Sequence, residues 1–396
     1  MLRKFTQLSV AACLLLLATS AAIPSPQEGS EKRPKDQAEY ELANKSFTAA
    51  QSGDWKTALE GLDEWKQKYP DSAYKEDWPR IYLRAYQNTG QKEKAIAIAK
   101  DILKASPNDF ESNFLIASLV PTMGGTDAAL MADGVKAANA VLANRPAQAN
   151  EEQWKQIQIT ALQTLGWTAM QKKDHQEAEK EFMKVLQLNP NLAQVSYWLG
   201  NEVLAQGNPN KNELALFSFA RAASYEGEGA LNAQGRQQVD EYLKKVYTKY
   251  HGSEEGLDGI KATAKTQALP PAGLKIKSKD VIDFEKEADS RKKEPMLWAF
   301  KDLKASLLGS NGDGIWSDLQ GKLAPKMQLY VVGSDSARPQ VVTFSSTPDG
   351  PVEVVVNLEN RLREAPGKGR KMVVDGVASS LTKDPFKLSL TSGSVN

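Results

Sequence analysis

Between Ile159 and Leu188 the apolar positions fall into two helical registers. Ile159, Leu162, Leu165 and Met170 recur at intervals near 3.6, which marks one buried face of a helix. A second run, from about Gln176 to Leu188, carries Ala178, Phe182, Val185, Leu186 and Leu188. The link between them, KKDH, is short and polar, so the two helices lie nearly antiparallel. Gly166 and Ala178 fall where such a pair crosses, and small side chains there let the backbones approach. Phe182 fills the space beside the crossing. Asn189-Pro190 stops the second helix, because a residue before proline avoids helical dihedrals and proline donates no N–H.

The pattern recurs. Ala58 to Pro70 and Ala95 to Pro107 repeat the twelve-residue offset of Ala178 to Pro190. Ala49 is equivalent to Ala169, and Tyr86 stands in register in the next unit. A looser unit covers Asn113 to Pro146, where PTMGGTDAALMADG replaces the short turn. A later unit carries Leu199-Gly200, Ala215 and Phe219, with about three extra residues around Asn208-Pro209. This order resembles the tetratricopeptide repeat, a helix-turn-helix unit of about 34 residues. Val185 stands where that family usually has alanine, and Ala169 where it often has an aromatic. The resemblance implies a tetratricopeptide-type α-solenoid of antiparallel helix pairs over residues 38–250, about five repeats closed by a capping helix. In the cap, GRQQVDEYLKKVYTKYHG, Tyr242, Val246 and Tyr250 are spaced to form a face. The alternative is a generic helical bundle.

Residues 251–321 read as a helical connector: a short helix broken at Pro270-Pro271, then two runs divided near Pro295. The first run is heavily charged, the second (MLWAFKDLKASLL) amphipathic. SNGDG at 310–314 lacks the acidic ligand series of a calcium loop and reads as a turn. From residue 322 to 396 the period changes to two, with β-branched residues. Strands are expected in KMQLYVVGS, PQVVTFSST, PVEVVVNLE, RKMVVDGVASSL and FKLSLTS, with TPDG as a turn and NRLREAPGKG as a short helix and turn. Five strands, a helix after the third and a fourth kinked at Gly376 resemble an OB-like barrel; a different small β-sandwich is the alternative. The fold class is therefore mainly α, followed by a small C-terminal all-β, OB-like domain.

The chain's first residues resemble a processing segment. Arg3 and Lys4 precede LSVAACLLLLATSAA and small residues at Ser20, Ala21 and Ala22, as in a secretory signal peptide over 1–22. Residues 23–37 read as a flexible leader. A lipoprotein box at Cys13 and an uncleaved anchor are the alternatives; the apolar run after Cys13 argues against the first. Cleavage would leave no transmembrane span and no cysteine, so disulfides contribute nothing. The expected location is periplasmic or extracellular, envelope association included. With 50 Lys+Arg against 49 Asp+Glu, the net charge of +1 gives no general drive toward nucleic acid or anionic membranes.

No HExxH, CxxC, GxSxG or phosphate-loop pattern occurs. His175 falls in a repeat's turn and His251 follows a helix end, and both read as structural or exposed. No catalytic residue, metal or cofactor is expected. The solenoid resemblance implies instead a concave groove lined by first helices, holding a protein or peptide partner of unspecified identity. Carried over from the family's groove positions, its residues are Tyr40, Asn44 and Phe47; Arg80, Arg84, Gln87 and Asn88; Gln163, Trp167 and Met170; and Tyr197, Trp198 and Asn201. Trp167 and Trp198 read equally well as packing between adjacent repeats. Arg80 and Arg84, one turn apart, suit an acidic segment. The family's two-lysine carboxylate clamp is not reproduced, so chaperone-tail binding is not expected. The other reading places function in the OB-like domain, binding oligosaccharide or single-stranded nucleic acid, although Phe386 is its only aromatic platform in MVVDGVASSLTKDPFKLSL.

Overall fold

The computed structural model describes residues 32–124 and 127–396. The expected signal peptide, Cys13 and most of the leader lie outside them. The chain divides into two compact units, the first ending at Ile276 and the second spanning Lys277–Asn396.

The first unit is built from helix pairs: α1 (Gln37–Ser52) with α2 (Trp55–Lys68), α3 (Trp78–Asn88) with α4 (Lys92–Ala105), α5 (Phe110–Leu119) with α6 (Ala128–Ala143), α7 (Glu151–Gln171) with α8 (His175–Leu188), and α9 (Ala193–Ala205) with α10 (Asn212–Ser224). Side-chain oxygens start many of these helices. Asp36, Asp54, Asp109, Asp127, Asn150 and Asp174 each accept an amide left open in the first turn. Asn150 and Gln153 close a reciprocal capping box. Pro70, Pro107 and Pro190 each stand two residues past the end of a second helix.

The crossings confirm the glycine argument. A Cβ on Gly166 would lie 2.5 Å from Phe182 Cε1, and one on Gly200 2.8 Å from Phe219 Cε1. Ala58, Ala95, Ala178, Ala215, Phe182 and Phe219 are all fully buried. In the first and third pairs a glycine on the second helix does the same work. A Cβ on Gly61 would meet Ser46 Oγ at 2.5 Å, and one on Gly134 would meet Val120 Cγ1 at 2.9 Å. The long links of the third and fifth units fold as 3-10 turns, Val120–Thr122 and Pro209–Lys211.

Helix α11 (Ala233–His251) follows the last pair, and its buried face is Val239, Leu243 and Tyr247. The face expected from Tyr242, Val246 and Tyr250 is instead a flank: Tyr242 is exposed and the other two are half-buried. Helix α12 (Leu257–Thr266) belongs to the same unit and packs on α10 through Leu257, Ile260 and Ala264. Arg221 of α10 holds it. This side chain is 2% exposed, and its guanidinium donates to the carbonyls of Ala264 (2.9 Å), Lys265 (2.7 Å) and Pro190 (2.8 Å). The segment read as one connector thus divides at residue 276.

The second unit opens with α13 (Lys279–Lys293), α14 (Pro295–Leu308) and α15 (Gly312–Leu319). SNGDG is not only a turn, since Gly312 begins α15. A Cβ there would lie 2.0 Å from the Leu307 carbonyl oxygen, so the glycine permits a close approach. Five strands follow: β1 (Met327–Ser334), β2 (Val341–Ser345), β3 (Val354–Leu358), β4 (Lys371–Lys383) and β5 (Phe386–Val395). They close a barrel in the order β1-β2-β3-β5-β4, with β3 and β5 parallel and the other pairs antiparallel. The register shifts between Asp375 and Val377, at the expected kink. Alternate residues fill the interior, among them Met327, Leu329, Phe344, Val356 and Leu390.

The expected helix after β3 is absent: residues 359–370 form a loop. Leu362 and Ala365 are its only aliphatic side chains, too few for an apolar face, and Pro366, Gly367 and Gly369 interrupt it. A helix does pack on the barrel core, but it comes from before β1. Leu297, Phe300 and Leu307 of α14 join that core, and the Phe300 ring meets Phe386 edge-on at 6.2 Å.

Candidate partner-binding surface

The first helix of each pair carries the side chains assigned to a partner, and the structure treats them unequally. On α1, Tyr40 and Asn44 are exposed, but Phe47 is buried in the core. Its ring packs edge-on against Trp65 at 5.6 Å and Tyr74 at 6.2 Å. Tyr74 comes from the connection between α2 and α3 and lies over the position. Phe47 is therefore withdrawn from the surface.

On α3, Arg80, Arg84 and Gln87 are half-buried and Asn88 is exposed. The two arginines are already engaged within the chain. Arg80 holds Asp109 with both terminal nitrogens and reaches Glu111 at 3.2 Å; Arg84 Nε donates to Glu111 at 2.9 Å. Burial pushes the Asp109 carboxyl up, but bonds from Arg80 and Ser112 outweigh it and hold it below the usual carboxylate range. An external acidic segment would have to displace these carboxylates. The sequence showed the arginines one turn apart but not that the start of α5 stands opposite them.

The third pair closes the face. Every residue of α5 from Ser112 to Leu119 is buried, and Val120 after it. Burial on every side suits a fully enclosed helix, and its polar members Ser112, Asn113 and Ser118 are enclosed with the apolar ones. Thr164 of α7 donates its hydroxyl to the Ala117 carbonyl at 2.6 Å. That close approach also buries Trp167, which is 5% exposed and belongs to the α5 core. Trp167 is thus inter-repeat packing rather than groove. Gln163 and Met170, on the same helix, remain half-buried.

The later helices keep an open polar and aromatic surface. Trp198 is half-buried with its ring 5.6 Å from that of Phe182. Tyr197 and Tyr242 flank the buried Phe219 ring at 6.1 Å and 5.1 Å. Asn201 donates its amide to the Tyr197 carbonyl at 2.8 Å. Burial, with Tyr242 nearby, raises the Tyr197 phenol above its ordinary value, so it stays neutral. Tyr197, Asn201 and Tyr242 form an uncharged patch with donors, acceptors and ring faces. Tyr242 was legible only as part of the capping helix.

The histidines sit at helix ends. His175 is the first residue of α8, and its Nδ1 lies 2.7 Å from Glu202 Oε2. His251 ends α11 and packs on Tyr247. Among the described residues, no group of three or more His, Cys, Asp or Glu side chains is placed to hold a metal ion, and no helix is long and apolar enough to cross a membrane.

Comparison with known proteins bears on the helix pairs. Tetratricopeptide repeat family models match residues 82–109 and 159–192. Among solved structures the chain is similar to one described as "MamA RS-1 ArsTM double mutant", at 15% identity and a TM-score of 0.34, over 54% of this chain and 99% of that one. No curated protein matches. The two family matches coincide with α3–α4 and with α7–α8 and their crossing at Gly166, and the chain accordingly carries tetratricopeptide repeats.

Proposed function

We propose that this protein is an exported, non-enzymatic scaffold that holds a protein or peptide partner on the first helices of its later repeats and on the helix that follows them. The observation that carries the reading is the uncharged patch of Tyr197, Asn201 and Tyr242. Tyrosine and asparagine suit recognition of peptide groups, since they offer apolar area and hydrogen bonds without a heavy desolvation cost. The earlier half is less suited, because Arg80 and Arg84 are neutralised by Asp109 and Glu111. Export rests on the basic start and apolar run of residues 1–22. The barrel's strand order, with β3 parallel to β5, supports an OB-like assignment. In this reading the barrel is a second contact or an end cap.

The test uses the whole chain. A partner captured from the source cell envelope should bind Asn201→Ala/Tyr242→Ala at least about thirtyfold more weakly, given about 2 kcal/mol for a dominant interface residue. The far-UV circular dichroism should be unchanged. Wild-type affinity in a folded double variant would end this reading.

A further inference from the structure

Between the Pro270-Pro271 break and α13 the chain makes a turn and then a short strap. The Leu274 amide bonds the Pro271 carbonyl at 3.1 Å, and Gly273 takes a φ of +82°, a value that favours glycine. Residues 274–277 then run in neither helix nor strand, and their side chains alternate. Leu274 is half-buried, Lys275 exposed, Ile276 buried at 5% exposure and Lys277 exposed. Ile276 joins the core of the solenoid, and Leu274 packs against that core. A period of two in a segment that pairs with no sheet is how an extended peptide lies in a groove.

Glu213, in the first turn of α10, receives this strap. One carboxylate oxygen accepts from the Ile276 amide at 3.2 Å, and the other lies 3.6 Å from Lys275 Nζ. Burial, with Glu213 nearby, raises the Tyr250 phenol above its ordinary value, so the C-terminal end of α11 stands at the same place. Tyr250 ends the flank of α11 that begins at Tyr242, since the spacing i, i+4, i+8 sets Tyr242, Val246 and Tyr250 on one side of the helix. The strap thus lies at one end of the surface that Tyr197, Asn201 and Tyr242 open. Its hold is light. Among the described residues, the Ile276 amide is the one backbone donor of 274–276 that bonds another element. The Lys275 side chain is largely exposed, and such an ion pair adds little. Burial of Ile276 therefore carries most of the attachment, whereas α12 is fixed by three bonds from Arg221.

We propose that residues 274–276 are a displaceable strap that occupies one end of the partner surface in cis, and that the partner is an extended segment of the same chemistry, two apolar residues flanking a basic one. This rests on the reading of that surface as the binding site, and adds the charge and register of what binds. The uncharged patch takes the partner's peptide groups. Glu213 at its end takes an amide and a cation together, and rejects an acidic residue at that position. While the strap is seated, only the fraction of molecules with it released is open to a partner, so the apparent affinity falls by that fraction.

The probe is a fluorescein-labelled peptide of residues 270–278, PPAGLKIKS, titrated into the whole chain and read by fluorescence anisotropy. Ile276→Ser removes the buried side chain of the strap and should bind the probe about tenfold more tightly than the wild type. Lys275→Glu sets a carboxylate against Glu213 and should act in the same direction by a smaller factor. It leaves the core untouched, so the test survives if Ile276→Ser unfolds, and the far-UV spectrum reports that. Adding Glu213→Gln to either variant should remove most of the gain, and a probe with glutamate in place of its first lysine should not bind. A probe that binds no folded variant better than the wild type, or a gain that survives Glu213→Gln, would overturn the strap. A partner captured from the cell envelope should bind Lys275→Glu more tightly than the wild type. If it binds both alike yet loses affinity in Asn201→Ala/Tyr242→Ala, the strap proposal falls and the patch stands.

Discussion

The same substitution, glycine to alanine, should have opposite signs at two helical positions. At Gly259, in the first turn of α12, an added Cβ meets nothing within 4 Å. The methyl costs no contact and the chain gains helix propensity, so Gly259→Ala should stabilise by about 0.5–1 kcal/mol. At Gly166 the propensity gain is similar, but the new Cβ would lie 2.5 Å from Phe182 Cε1, 2.7 Å from Cδ1 and 3.2 Å from Cζ. Carbon atoms rest at about 3.5–4.0 Å, so the ring or the helix must move by about 1 Å. Phe182 is fully buried between Gly166 and the Trp198 ring, so the ring has little room to yield. Overpacking of this kind costs about 1–3 kcal/mol, sometimes more, which exceeds the propensity gain. Gly166→Ala should therefore destabilise by about 1–2 kcal/mol. Urea unfolding followed by far-UV circular dichroism, dominated by the solenoid helices, gives the comparison. Phe182→Leu frees space beside the crossing, so the double variant should lose less than the sum of the two singles. A Gly166→Ala protein as stable as Gly259→Ala would refute the crossing argument.

Ala178 stands at the same crossing, and Ala178→Trp should lower the melting temperature severely, since an indole cannot fit where a methyl is already enclosed. Arg221→Met should leave three carbonyls at 190, 264 and 265 without their donor. A loss of about 3 kcal/mol or more and faster amide exchange through α12 are expected, and unchanged exchange there would contradict the anchoring role. Glu353 predicts acid sensitivity in the barrel. Burial raises its carboxyl, but bonds from Lys304 and Ser346 outweigh that and hold it below the usual carboxylate range. A depressed folded value contributes stability above the unfolded pKa, and that stability is lost as pH falls through the folded one. Amide exchange over residues 341–358 should accelerate below about pH 4, and Glu353→Gln should flatten the dependence. Arg84→Ala should cost under about 1 kcal/mol, as expected of a partly exposed pair, and should leave partner affinity intact, whereas Trp198→Ala should lower stability through its contact with Phe182. Equal binding losses from both would restore the arginines to the interface.

Much of the helical unit was legible because its determinants are local. Twelve-residue alanine-to-proline offsets and small residues at the crossings depend on neighbours within one repeat. The strands were legible for the same reason, since period-two alternation records one face against a barrel interior. What failed depends on segments distant in sequence. Phe47 has the spacing of a surface residue, but Tyr74 lies over it from a connection whose path no periodicity encodes. The helix expected after β3 came from the element order of OB-like barrels rather than from the residues of that loop. The barrel packs α14 on its core instead, a helix whose apolar face was visible but whose target was not. In α11 the spacing of Tyr242, Val246 and Tyr250 is as regular as that of Val239, Leu243 and Tyr247, and only packing on α10 decides between them.

The groove shows the same limit and explains where binding is placed. Carrying family positions along the chain assumes that each first helix presents the same face to the same space. That holds only while successive repeats keep one spacing. The third repeat breaks the condition, because α5 is buried on every side from Ser112 to Leu119 and its neighbour α7 approaches closely enough for Thr164 to bond the Ala117 carbonyl. Approach at that distance removes the room a partner would need and buries Trp167, the most conspicuous groove candidate in the sequence. The arginines before the break face carboxylates brought to them by the start of that same α5. One irregular helix thus closes the middle of the surface and neutralises the side chains before it. What remains open is the run from Gln163 and Met170 to Tyr197, Asn201 and Tyr242, and a partner on the solenoid is expected to lie there.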